Sequence, residues 1–361
     1  MKYVWLVTVA FALAGCGRNA TPQNEEVDKR ESAAEVATAS SQSNMQFAEV
    51  TGDNPPLDAS LPMLQTQVVL DRSGFSPGVI DGKKGQSLVL ALKAFQQAND
   101  IEKSGELDSA TIEALQKLAV PATRLVRIPA GFANGPFVPD FPDKAEDQAK
   151  LPALGYRNIM EALAERFHTT TETLVALNSP ATKVVAGSVI RVPNLAEVPD
   201  PALEKDERGW GKTLQMLGVS ADQPRVSKVV VDKSDGVLRA FDANDKMIAS
   251  FPATMGSSRD PLPIGNWTIK GVARNPDFHY NPKLFWDVSD TKDKLLLKPG
   301  PNGPAGVVWI DLSKDHYGIH GTSEPQTIGR AESHGCVRLT NWDAAKLAGM
   351  VKTGVKAVFQ E

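Results

Sequence analysis

The chain reads as a multidomain α+β protein: a small three-helix bundle, a βααβ module and a C-terminal β-rich domain of sandwich type. Three observations predict this. Its 361 residues are roughly two to four domains' worth of chain. Apolar residues fall at helical spacing through residues 62–118 and turn to short strand-like runs past residue 226. Clusters of Pro and Gly punctuate the stretches between. Apolar residues make up 42% and charged residues 23%, ordinary globular usage that excludes a wholly disordered or fibrous chain. The 39 Lys+Arg against 43 Asp+Glu give a net charge of -4, which leaves no basic field for a nucleic-acid backbone, so no such partner is expected. The two cysteines, Cys16 and Cys336, exclude a disulfide scaffold and each needs its own explanation.

At the N-terminus, Lys2 precedes an apolar run over residues 3–13 that ends in Ala14-Gly15-Cys16. The run is too short to span about 30 Å of hydrocarbon but fits the core of a signal peptide, with small residues before the cut. Leu13-Ala14-Gly15-Cys16 resembles the lipobox of bacterial lipoproteins, which implies residues 1–16 as signal peptide and lipobox and a lipid on Cys16. An exported lipoprotein facing the periplasm, held by its lipid in the outer membrane, is the expectation; an ordinary secretory signal is the alternative. Residues 17–60 are rich in Ser, Thr, Ala, Glu, Asn and Gln with hardly an aromatic, and are expected to be a disordered tether.

Within residues 61–120, Leu64 and Val68, then Leu88, Leu92 and Phe95, then Ile112, Leu115 and Leu118 mark three short helices, with Asp108 placed to cap the third. Gly74-Phe75-Ser76-Pro77-Gly78-Val79-Ile80-Asp81-Gly82, Ala94-Phe95-Gln96 and Gly105-Glu106-Leu107-Asp108 resemble the peptidoglycan-binding domain of cell-wall enzymes. A generic helical spacer is the alternative. Residues 121–153 read as a connector.

In residues 154–195, Ile159, Leu163 and Phe167 line one helix, Thr169 and Glu172 have capping-box spacing before a second, and residues 189–193 close as a strand. The order resembles a LysM domain, which implies glycan binding, although Arg157-Asn158-Ile159-Met160 stands where the family has Gly-Asp-Thr-Leu. His168 is expected to be a solvated capping residue. Residues 196–225 read as a linker.

Residues 226–361 hold regular short strands, with one helix from Asn341 to about Val351. Here Ile319-His320-Gly321-Thr322 is followed by Ser333-His334-Gly335-Cys336-Val337-Arg338-Leu339. A cysteine near histidines can become a thiolate nucleophile, and glycines beside them let the backbone approach a ligand. Two other readings stand beside this. Cys336 could be a small buried hydrophobe among core histidines. Alternatively, His316 with His320 and His334 with Cys336, if extended, would supply four metal ligands.

Together with Pro261-Leu262-Pro263-Ile264-Gly265-Asn266-Trp267, these motifs resemble the L,D-transpeptidases of the YkuD type. The resemblance implies neither metal nor cofactor and a peptidoglycan stem peptide as substrate. It implies Cys336 as nucleophile, expelling a terminal D-alanine and leaving a thioester, and His320 as the base, oriented by the backbone carbonyl of Gly321. Backbone N–H groups at Gly335 and Cys336, with His334 close by, would hold the oxyanion. Arg338 is expected to hold a substrate carboxylate or brace the loop, and Ser333 to contact substrate or bond within the loop. A stem amine, a lysine of a partner lipoprotein or water are the acceptors open to such a thioester, and cross-linking is the default. A catalytically silent wall-anchoring lipoprotein is the alternative of a different class.

Overall fold

The computed structural model describes residues 45–52, 62–196, 207–281, 293–331, 333 and 335–361; Cys16 and His334 lie outside the described residues. Helices α1 (Met63–Arg72), α2 (Gln86–Ala98) and α3 (Ser109–Gln116) form the bundle around Leu70, Leu88, Leu92, Phe95 and Leu115. Asp108 caps α3, accepting the Thr111 N–H at 2.9 Å. Leu118 falls past the end of α3 and stands 49% exposed, so the third apolar stripe is one turn shorter than its spacing predicts. The turn between α2 and α3 is organised by buried Gln96, which accepts from Gly105 N and donates to Thr111 Oγ1.

The second module begins earlier than the sequence suggests. Strand β2 (Thr123–Arg127), inside the expected connector, pairs antiparallel with β3 (Val189–Pro193) on one side and with β1 (Ala48–Val50) on the other. So residues 45–52 of the expected tether are built into the fold. The reason lies in Met45 and Phe47, which alternate inward: Met45 is buried, and Phe47 meets Phe132 and Phe167 edge-on at 4.9 and 5.2 Å. The short helices α4 (Ala130–Ala133) and α5 (Ala145–Gln148) lead to α6 (Ile159–Arg166) and α7 (Thr171–Leu177). The cap of α7 is Thr170, which accepts from Thr173 N, whereas Thr169 donates its hydroxyl to Ile80 O in the bundle at 2.6 Å.

Helix α8 (Trp210–Leu217) lies within the expected linker and buries Leu214 and Leu217 in the C-terminal core. That domain contains strands β4 (Lys228–Asp232), β5 (Val237–Phe241), β6 (Met247–Pro252), β7 (Thr254–Met255) and β8 (Gly265–Arg274). The hairpin β9 (Phe278–Tyr280) and β10 (Leu295–Leu297) follows, then β11 (Val308–Leu312), β12 (Gly318–His320), β13 (Val337–Arg338), α9 (Asn341–Met350) and β14 (Lys356–Gln360). Among the described residues the main sheet runs β6-β5-β4-β14-β8-β11-β12-β13-β7. Its hinge is the long strand β8, whose first half pairs with β14 and whose second half pairs with β11. Both halves contribute to one core that includes Val229, Phe251, Ile310, Val337 and, from α9, Trp342.

A buried polar cluster ties the three parts together and corrects the expectation for His168. This residue is 1% exposed, stacked on Trp342 at 4.9 Å, with Nδ1 3.0 Å from Asp71 Oδ2 and Nε2 2.9 Å from Leu217 O. The helix end that would have left it in water is covered by α1 and α9. Burial lowers its pKa while the Asp71 carboxylate opposes that; both ring nitrogens face acceptors, an arrangement only the protonated ring satisfies in full. Burial also acts against the Asp71 charge, but Lys346, at 2.9 Å, and His168 outweigh it and hold that carboxyl well below the usual range. Asp71→Ala should therefore strand Lys346 and His168, costing about 3 kcal/mol in a urea titration; an unchanged midpoint would show the cluster to be idle.

Candidate active site

The register of three strands sets the site. β12 pairs antiparallel with β11, placing Trp309 opposite His320, and parallel with β13, placing Ile319 opposite Val337 and His320 opposite Arg338. Ile319 and Val337 are fully buried in the core, so strand alternation puts His320 and Arg338 on the other face. The same alternation carries Cys336, one residue before β13, to that side.

His320 is 6% exposed, with Trp309 stacked on it at 5.4 Å. Its Nδ1 lies 2.7 Å from Gly321 O. A carbonyl can only accept, so Nδ1 carries the proton and Nε2 of the neutral ring is left as the basic nitrogen. Burial first, then the positive charge of Arg338, lower the imidazole pKa to about 4, against the Gly321 carbonyl. The ring is therefore neutral at pH 7, in the form a general base needs. Burial pushes the half-buried Cys336 thiol up, while the Gly318 N–H and Arg338 favour the thiolate. The resting pair is thus a thiol and a neutral imidazole.

The depressed pKa of His320 has a stability consequence. An unfolded chain takes up this proton near pH 6.5 and the native state only near 4, so the contribution is complete above 6.5 and is lost as pH falls through that window. The loss amounts to at most about 3 kcal/mol. Urea titrations at pH 7 and 4.5 should show a smaller pH dependence in His320→Phe than in the parent; equal dependence would contradict a buried neutral ring.

The loop that carries Cys336 is held by Ser333. Its hydroxyl donates to Cys336 O at 2.7 Å and accepts the Gly256 N–H at 2.6 Å, and its own N–H reaches Gly256 O at 3.1 Å. With its proton donated and the side chain 3% exposed, Ser333 is placed to brace the loop, one of the two roles expected of it. Gly335 sits at φ +91° against Tyr317, where a Cβ would lie 2.7 Å from the ring. Arg338 is half-buried, its charge acting on both His320 and Cys336, and stands opposite Thr254 of β7.

His316 does not extend β12: it is exposed, at φ +69°, and its carbonyl lies 3.9 Å from Cys336 Sγ. The shared strand face needed to align it with His320 as a metal ligand is not formed, and among the described residues no three His, Cys, Asp or Glu side chains group as a metal site. His279 is exposed on β9. Sequence reasoning missed the Trp309 stack on His320, and it missed Asn341, fully buried, whose Oδ1 would lie 2.2 Å from a Cβ on Gly321. Only the strand pairing and the packing of α9 reveal them.

Residues 227–359 match the family model described as the L,D-transpeptidase catalytic domain, YkuD, and residues 62–115 match that of a peptidoglycan-binding domain. The chain is 26% identical over 197 residues to a Bacillus licheniformis protein named "Putative L,D-transpeptidase YkuD", covering 55% of this chain and 90% of that one. It is 33% identical over 113 residues to the Bacillus subtilis protein of the same name, covering 31% of this chain and about half, 54%, of that one. Among solved structures, an L,D-transpeptidase from Mycobacterium smegmatis aligns at 20% identity with a TM-score of 0.30, covering 37% of this chain and 58% of that one.

Proposed function

We propose that the chain, which matches an L,D-transpeptidase catalytic domain over residues 227–359 and a peptidoglycan-binding domain over residues 62–115, exchanges the terminal residue of a peptidoglycan stem for a new acyl acceptor through a thioester on Cys336. The observation that carries this reading is the 2.7 Å bond from His320 Nδ1 to Gly321 O, which leaves Nε2 basic on the face that Cys336 shares.

The steps follow from that arrangement. His320 Nε2 takes the thiol proton as Sγ attacks the carbonyl of the third stem residue, forming an S–C bond and an oxyanion. Backbone N–H groups at Gly335 and Cys336 would hold that oxyanion. Collapse breaks the C–N bond, and the imidazolium returns its proton to the departing D-alanine amine. An incoming amine then attacks the thioester, gives its proton to His320 and frees the thiolate. Arg338 favours the thiolate and keeps His320 uncharged before attack, and a substrate carboxylate could pair with it. A stem amine as acceptor gives a cross-link, water a trimmed stem, a lysine an anchored protein.

The glycan-binding reading of the second module is supported by two antiparallel strands, β2 and β3, bracketing α6 and α7. The lipid anchor on Cys16, and with it a periplasm-facing membrane location, is supported by the lipobox resemblance. Mass spectrometry of tetrapeptide muropeptides incubated with the protein tests the activity. Loss of D-alanine with new dimers supports cross-linking, tripeptide monomers alone support trimming, and untouched stems would overturn the enzyme reading.

A further inference from the structure

The Gly321 peptide whose carbonyl meets His320 Nδ1 packs against a side chain that is itself bonded from outside the C-terminal domain. Asn341, the first residue of α9 and 0% exposed, accepts the Val307 N–H on Oδ1 at 3.3 Å. Its Nδ2 donates to Glu165 Oε1 at 3.0 Å and to Pro301 O at 3.1 Å. One side of the amide thus faces a donor and the other faces acceptors, so only one orientation of the group satisfies the site. In that orientation Oδ1 presses on two glycines: a Cβ would lie 2.2 Å from it at Gly321 and 2.0 Å at Gly306. A Cβ at either position would overlap the amide oxygen, so Oδ1 is packed directly against the Gly321 backbone, whose own N–H reaches Val308 O at 3.4 Å. Glu165, from α6 of the second module and 6% exposed, is fixed in turn by the Tyr156 hydroxyl, which donates to Oε2 at 2.8 Å.

We infer that Glu165 is a positioning residue for His320, holding the Asn341 amide against the Gly321 peptide whose carbonyl orients the imidazole. The second module is then a working part of the active site as well as a neighbour of it. Without the carboxyl, Asn341 keeps only Pro301 O on Nδ2 and the 3.3 Å bond from the Val307 N–H on Oδ1, so the amide is held less firmly against the Gly321 peptide and the Gly321 carbonyl is freer to drift from Nδ1. A ring released in this way samples both tautomers, and only one of them offers Nε2 as base. Misplacement of this kind, remote from the reacting atoms, costs about ten- to a hundredfold in rate. Substrate binding does not pass through the bond, so the loss should fall on kcat.

The inference rests on His320 being the base, and the test separates the two. Burial lifts the Glu165 carboxyl to about 8, so uncharged Gln is a close stand-in. Glu165→Met removes the acceptor while filling the space, and Asn341→Asp removes the Nδ2 donor while keeping its shape. The readout is imidazole 15N NMR on the full chain, whose five histidines allow His320 to be assigned by His320→Gln. The parent and Glu165→Gln should show a single Nδ1–H tautomer at His320; Glu165→Met and Asn341→Asp should show a mixture. On tetrapeptide stems, Glu165→Met should lose about ten- to a hundredfold in kcat with KM within about twofold, and Glu165→Gln should restore it. An unchanged tautomer in both disrupted variants would overturn the inference. A shifted tautomer with no turnover even in the parent would instead overturn the functional reading and leave the positioning role standing. Should Glu165→Met fail to fold, Asn341→Asp decides by the same spectrum.

Discussion

Cys336→Ala is expected to reduce D-alanine release from a tetrapeptide stem by about 10³-fold or more while leaving the fold in place. In the proposed mechanism the sulfur forms the covalent bond, and among the described residues of β12 and β13 no other thiol or hydroxyl side chain stands on that face to replace it. The loop around it does not depend on the thiol: Ser333 holds Cys336 through its backbone carbonyl, and Gly256 holds Ser333. A half-buried thiol replaced by a methyl leaves a small gap, so the urea midpoint should stay close to that of the parent. Rate and stability therefore separate cleanly in this variant. Loss of both together would point to a structural cysteine, and retained rate would remove the thioester from the mechanism.

His320→Gln should cost about 10²- to 10⁴-fold, the range of a general base, and should change the shape of the pH profile. In the parent the base is available wherever the imidazole is neutral, so the acidic limb should fall near pH 4. In the variant the thiol has to ionise unaided, and its pKa is raised by burial, so the residual rate should climb about tenfold per pH unit well above neutrality. A variant that kept the parent profile at reduced amplitude would show that His320 shapes the site without moving the proton.

The sequence was most informative where partners are neighbours in the chain. Asp108 caps α3 within a single turn, and the His320 to Gly321 bond joins adjacent residues. Gly335, legible from its residue type as a point of close backbone approach, sits at φ +91° where a Cβ would run into Tyr317. What stayed hidden depends on pairings between distant segments. Residues 45–52 look like tether because their composition is polar, yet two apolar side chains at alternate positions suffice once β2 offers an edge. His168 ends a helix and so looks solvated, until α1 and α9 close over it. The α7 cap moves from Thr169 to Thr170 because the bundle claims the Thr169 hydroxyl. Glu165 and Asn341 lie 176 residues apart, and no local pattern marks either as serving the site.

The central claim is a covalent bond at one sulfur, and it is tested most directly by intact-protein and peptide mass spectrometry after brief exposure to a tetrapeptide stem without an amine acceptor. The account predicts an added mass equal to the stem less its terminal D-alanine, located on Cys336, absent in Cys336→Ala and discharged on adding an acceptor amine. Release of D-alanine with no adduct at Cys336, or with the adduct on another residue, would contradict it.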